Sequence, residues 1–374
     1  MTAPSAARRS AGEAFGQLEP IQASFREAAA RHLEERDYLL AGARVRLQSA
    51  SAEMMRRLSH SFSHLEATPG AAEPELTIGL WDAVTSGTQP PPLPNTRDEE
   101  APGAFFYYSD DRARVGFQLG TSGDARVLAV YPEAPTPAMS VLERGGRRGW
   151  YWVEDAERIP YWEQATPMVY LLDWWLRDRN MHMLHAGAVG TATGGVILVG
   201  KSGSGKSTTT LSALQSELLY AGDDYVGVSL GGEPYVHGLY GSGKLMPNHV
   251  ERLPFLLDAL ANTDQLDVEK AVVYVHEHWP DNVSSGFPLR AIVAPRVTPG
   301  LGEARLREAS ALEGFTALAP STVFQMHTRG QDSLTRVRRL VETVPSYVLE
   351  LGSDIASIPR AIAELLGRLD PASR

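Results

Sequence analysis

The 374-residue chain contains no cysteine. Disulfides, thiolate zinc sites and cysteine nucleophiles are therefore excluded together. It also lacks any apolar run near the ~18 residues that a membrane-spanning helix needs. Behind the two arginines of "MTAPSAARRSAGEAFG" there is no apolar stretch of the secretory kind. A cytoplasmic protein with no membrane partner is the expectation. A basic excess is missing too: the formal net charge is −10, which argues against the electrostatic footprint of a nucleic-acid binder. Hydrophobic residues, at 43%, suffice for a real core, and the length suits two domains.

Composition along the chain supports an α+β N-terminal part and a different C-terminal one. Residues 1–12 are small, polar and basic, and read as a disordered tail. Helical spacing over Glu13 to Glu35 predicts an amphipathic helix. Tyr38 to Ala50 reads as a strand, and "SAEMMRRLSHSFSHL" as a helix with a serine N-cap. Short strands follow in "ELTIGLWD", "FFYYSD", "VGFQLG", "RVLAVYP" and "GWYWVED". Between them, Ser86 to Gly103 forms a proline-rich surface loop, with a polyproline ligand as the alternative. Asp110 and Asp111 mark a hairpin turn. Ile159 to Asn180 reads as one apolar helix packed between the two halves, so the boundary falls within 157–180. The expected organisation is a 1–12 tail, a 13–157 α+β domain suited to substrate recognition, and a 158–374 α/β domain.

The second part carries the chemistry. "GGVILV" runs into "GKSGSGKSTTT" at Gly200, and glycine, four residues, glycine, lysine, serine is a phosphate-binding loop. Backbone N–H groups of Gly200, Ser202, Gly203, Ser204 and Gly205 would face an anion. Lys206 supplies the cation, Ser207 the magnesium ligand, and Thr208 continues the helix. Forty residues on, "GLYGSGKL" repeats the spacing, but Leu245 follows Lys244 and has no oxygen for a metal. Met246, Pro247 and Asn248 then interrupt any helix. This second stretch reads as a glycine hairpin or loop. Its less favoured alternative borders the site, with Lys244 meeting a substrate anion.

In "LLYAGDDYVGVSL" a strand delivers Asp223 and Asp224, a pair suited to a magnesium site and a general base. The alternative is a turn capped by both. His185, in "MLHAGAVG", reads equally as a core histidine or as a group tuning the site. His60 and His64, four apart on a helix, and His276 and His278, on one strand face, could each share a metal. Solvated side chains are the better reading of both pairs.

Together "LHAGAV", "GGVILVGKSGSGKST" and "AGDDYVGVSL" resemble the HPr kinase/phosphorylase-like kinases, P-loop kinases related to phosphoenolpyruvate carboxykinase. The likeness extends over roughly residues 177–370. It takes in Leu245-Met-Pro247, the strand "PLRAIVAPRV", the helix "REASALEGFTALA" and the closing "VPSYVLELGSDIASIPRAIAELL". It implies a mixed central sheet flanked by helices, with ATP and Mg2+ as cofactors. It makes Asp223 the base for an acceptor hydroxyl, puts Asp224 with Ser207 at the metal, and places His185 and Lys206 in the catalytic site. Thr208 stands where the HPr enzymes usually carry glutamate, and their "PGRN"-type signature is missing. Both departures point away from HPr and phosphorylase chemistry, towards related kinases that act on peptides. The acceptor expected is a serine of a peptide or small protein, or a small-molecule hydroxyl. A nucleotide-binding regulator without transfer is the rival. A decarboxylating carboxykinase lacks its substrate residues. ATP against GTP, and assembly as a homo-oligomer, stay open.

Overall fold

The computed structural model describes residues 18–68, 70, 72–91, 104–108, 114–122, 125–132, 136–320 and 331–370. The expected tail 1–12, residues 92–103 of the proline-rich loop and the Asp110–Asp111 turn lie outside the described residues. The chain divides into two compact units, Met1–His60 with Glu66–Asp178, and Ser61–Leu65 with Arg179–Arg374. No helix among the described residues is long and apolar enough to cross a membrane.

The first unit is built on a nine-stranded mixed sheet. Its strands are β1 (Glu34–Leu40), β2 (Ala43–Ser49), β3 (Glu66–Ala67), β4 (Leu76–Asp82), β5 (Ala104–Tyr108), β6 (Arg114–Ser122), β7 (Ala125–Pro132), β8 (Ala138–Glu143) and β9 (Arg148–Val153), in the order β3-β1-β2-β4-β9-β8-β7-β6-β5. The strand expected over Tyr38 to Ala50 is in fact the hairpin β1–β2. Ala41 and Gly42 take φ of 47° and 76° at its turn, the left-handed pair that a two-residue connection requires. Helix α1 (Leu18–Ala29) stops short of the expected Glu35, which lies in β1, and buries Ile21 and Ala28 against Trp81, Trp150 and Trp152; residues 13–17 of that expectation lie outside the described residues. Helix α2 (Ala52–Ser59) starts where the Ser51 hydroxyl accepts the Met54 N–H at 3.3 Å, the serine cap read from the sequence.

The single helix expected over Ile159–Asn180 is two, α3 (Tyr161–Ala165) and α4 (Val169–Asp178). Pro167 has no N–H for a helix interior, and Met168 takes φ of 57° beside it. Both helices belong to the first unit, where α4 packs on β8.

The second unit has its own nine-stranded mixed sheet, in which β10 (Met181–Leu184), β14 (Val226–Ser229), β15 (Tyr235–Gly238), β18 (Gly286–Val297), β12 (Gly194–Leu198), β11 (Gly187–Thr191) and β13 (Leu219–Gly222) lie side by side in that order. Strand β20 (Ser346–Leu351) joins β18 in parallel and pairs with β19 (Arg305–Ala309) on its other side. Strand alternation sends side chains to opposite faces, and both faces are covered. Ile197 and Val199 meet Leu318 of α6 (Ala311–Ala319) and Val337 and Leu340 of α7 (Gln331–Thr343). Val196 and Leu198 meet Ile358, Ile362 and Leu365 of α8 (Ser357–Leu369). The "REASALEGFTALA" stretch read as a helix opens with the last three residues of β19, Arg307 to Ala309, and Ser310 then starts α6 with a reciprocal capping box to Glu313. A two-stranded sheet, β16 (Ser242–Leu245) with β17 (Ala271–Tyr274), completes the unit.

Candidate active site

Strand β12 ends at Leu198, and helix α5 (Lys206–Ser212) begins eight residues later. The loop between them turns on glycines. Gly203 and Gly205 sit at φ of 76° and 102°, where a Cβ would strain the backbone. A Cβ on Gly205 would also lie 2.4 Å from Leu351 Cδ1, so the loop is pressed onto β20. Lys206 folds back over it, its ammonium donating to the carbonyls of Gly200 at 2.7 Å and Lys201 at 3.3 Å. Burial pushes the Lys206 pKa down, while Asp223 and Asp224 pull the other way. The Ser204 hydroxyl is buried without a hydrogen-bond partner.

Strand β13 carries the chain to Asp223 and Asp224, and the two side chains are not equivalent. Asp223, only 2% exposed, accepts the Lys244 backbone N–H through Oδ2 at 3.0 Å. The Ser207 hydroxyl is near enough to favour its charge, yet Oδ1 is buried with no hydrogen-bond partner. Burial, and then the charge of Asp224, raise the Asp223 carboxyl to about 6.

Asp224 has both oxygens engaged. Its Oδ1 meets His185 Nε2 at 2.7 Å and its Oδ2 meets Lys244 Nζ at 2.5 Å. Burial opposes its charge, but Lys244 and His185 together hold the carboxyl well below the usual range. His185 also lies 5.2 Å from the Tyr225 ring, and its Nδ1 is buried without a partner.

Among the sequence-derived candidates, Lys206, Ser207, Asp223, Asp224 and His185 thus come together. The second glycine-lysine stretch is not a phosphate loop: Ser242–Leu245 is strand β16, and Lys244 is 8% exposed and bound to both aspartates. Its contact with Asp224 is what the sequence reading undervalued. The signal was there in the two-residue alternation of "SGKL", which points a strand lysine to one side.

The other histidine readings change. His276 and His278 lie in the short helical turn Val275–His278, not on a strand. His64 is not solvated: both ring nitrogens are buried without partners, and burial, with His276 nearby, lowers its pKa to about 3. The two rings stack with centroids 6.3 Å apart.

No family model matches the chain, and no curated protein matches it. Among solved structures it is similar to the Hpr(Ser) kinase/phosphatase from Coxiella burnetii. That match covers 49% of this chain and 95% of the other, at 11% identity and a TM-score of 0.29. Similarity at that level carries no weight for fold or reaction. What stands is a mixed α/β unit with a glycine-lysine loop set against one buried aspartate, Asp223, and one half-buried one, Asp224.

Proposed function

We propose that the protein is a kinase that transfers the γ-phosphoryl group of ATP, with Mg2+, to a hydroxyl, foremost a serine of a peptide or small protein. The reading rests on one observation: beside a glycine loop, Lys206 lies within the field of Asp223, the Ser207 hydroxyl is near the same carboxylate, and its Oδ1 is buried without a hydrogen-bond partner. A buried polar atom without a partner is costly, and a site built to receive a cation and an anion accounts for it.

The residues present fit both groups. Loop N–H groups and Lys206 suit phosphate oxygens, and the Ser204 hydroxyl adds a donor without a partner. Ser207 would hold Mg2+, with Asp224 as the second oxygen ligand. When bound, the metal neutralises charge on the phosphates. Asp223 takes the acceptor proton. A base with a pKa near 6 is largely ionised at neutral pH yet still basic enough to accept that proton. As the acceptor oxygen bonds to phosphorus and the bond to the leaving diphosphate breaks, the hydroxyl proton passes to Asp223 Oδ1. His185 orients Asp224 through their 2.7 Å contact. The first unit is assigned to acceptor recognition.

Incubation with γ-labelled ATP, Mg2+ and a panel of serine peptides and small hydroxyl compounds tests the proposal. Label should pass to an acceptor with the wild-type protein and not with Lys206→Ala. Tight nucleotide binding with no transfer to any acceptor would favour a regulator instead.

A further inference from the structure

The kinase reading wants a metal at Asp224, but the chain already puts an ammonium there. Lys244 Nζ lies 2.5 Å from Asp224 Oδ2 while His185 holds Oδ1. The ammonium is fixed by its own strand. The Lys244 N–H is bound to Asp223, and the carbonyl of Ser242 accepts the Tyr220 hydroxyl at 2.7 Å. Gly243, between them, is pressed onto α5: a Cβ there would lie 2.6 Å from Leu211 Cδ2. Strand β16 is thus seated on the helix that follows the phosphate loop, and it aims one cation at one carboxylate.

We infer that Lys244 is the resident counter-ion of Asp224, which the metal–nucleotide complex displaces when it binds, and that it acts as a positioning residue. The inference rests on the kinase reading above. An ammonium and a divalent ion compete for the same Oδ2, because each needs that oxygen within bonding distance. A carboxylate as little exposed as Asp224, at 18% of its side chain, is unfavourable without a cation. Exchange of one cation for another avoids that state, so the site stays ordered before nucleotide arrives. The displaced ammonium remains near the phosphates. Asp223 lies within its field, and the Tyr225 ring centroid is 5.8 Å from Nζ, a distance at which an aromatic face attracts a cation. Filling the metal position would therefore release a second cation, beside Lys206, into the phosphate site. A permanent structural ion pair is the rival explanation, and it predicts no exchange.

Mn2+ binding separates the two. Full-length protein is saturated with β,γ-imido-ATP and titrated with Mn2+, and free Mn2+ is followed by electron paramagnetic resonance. Lys244→Met should reach half-saturation at about tenfold lower Mn2+ than wild type, because the competitor is gone. Lys244→Arg, which keeps a cation, should not. An unchanged or higher Mn2+ requirement in a folded Lys244→Met protein overturns the exchange. Should that variant fail to fold, the Lys244 side-chain NMR signal, assigned with Lys244→Arg, is followed in the wild type as Mg2+ is added to the nucleotide complex. It should shift; a signal that stays in place refutes the exchange. Wild-type protein that binds no Mn2+–nucleotide at all would sink the kinase reading itself.

Discussion

His185 and Asp224, thirty-nine positions apart, are joined by a 2.7 Å contact between Nε2 and Oδ1. The ionised Asp224 carboxylate makes it a charge-assisted contact. It leaves Asp224 only one oxygen for any other partner, and Lys244 has it. Asp223, next in the chain, keeps one oxygen without a partner. Adjacent carboxylates therefore enter the chemistry with different freedom.

Lys206→Ala and Lys244→Ala should separate. The first removes the cation of the phosphate loop and should weaken ATP binding by about tenfold or more. Without divalent metal the second should bind ATP nearly as the wild type does, since Lys244 would there stay on Asp224, and with Mg2+ it should lose transfer. Calorimetric titration with ATP alongside the labelled-phosphate assay reads both; equal losses of affinity would place Lys244 on the nucleotide.

Asp223→Asn should keep nucleotide affinity while transfer falls by about 10²-fold or more. In the wild type, transfer should decline as pH drops through about 6, where Asp223 takes up a proton. The stability effect has the opposite sense. Because the folded pKa lies above the unfolded value, the carboxyl favours folding most below about pH 4, and that contribution is lost as pH rises through about 6. At pH 7.5 the asparagine variant should therefore be more stable than wild type by about 1–3 kcal/mol. Urea denaturation at pH 7.5 checks this, and a less stable variant would contradict the burial argument.

Gly190→Ala should damage the sheet that carries the loop. Gly190 faces Gly195 across β11 and β12, and a Cβ would lie 2.5 Å from the Gly195 α-carbon. That obstruction is backbone and cannot turn aside, so the expected loss is about 1–3 kcal/mol. A denaturation midpoint equal to that of the wild type would show that the hairpin opens more easily than its spacing allows.

In the first unit Asp37, 3% exposed, receives Arg46 through Nε at 2.7 Å and Nη2 at 3.0 Å, and Arg44 through Nη1 at 2.9 Å. The Arg46 hydrogen bond leads the effects that hold its carboxyl below the ordinary value, against the cost of burial. A lowered pKa adds stability above the unfolded value and loses it as pH falls through the folded one. Asp37→Asn should thus cost about 1.5–3 kcal/mol at pH 7. The gap in thermal midpoint between variant and wild type should close on acidification below the ordinary carboxylate range.

Local chemistry was legible where it depends on contiguous residues. Gly200 to Ser207 announces its turn because glycine alone tolerates those φ values and the lysine follows at fixed spacing. Ser51 announces its helix, because a cap bonds within one turn. Breaks were less legible. Pro167 sits in a run apolar enough to mask it, and Ala41-Gly42 turns a chain whose two flanks alternate like one strand.

The sequence by itself determined the glycine-lysine turn, the strand that delivers the aspartates and the absence of cysteine. Only the tertiary structure decided which aspartate is open and which is closed. Lys244 reaches Asp224 because β16 lies on α5, with Gly243 against Leu211 and Ser242 held by Tyr220. The residues making those contacts lie 22 and 32 positions apart in the chain. A motif can specify its own backbone, but a partner that distant is chosen by side-chain packing, and packing has no fixed spacing to read.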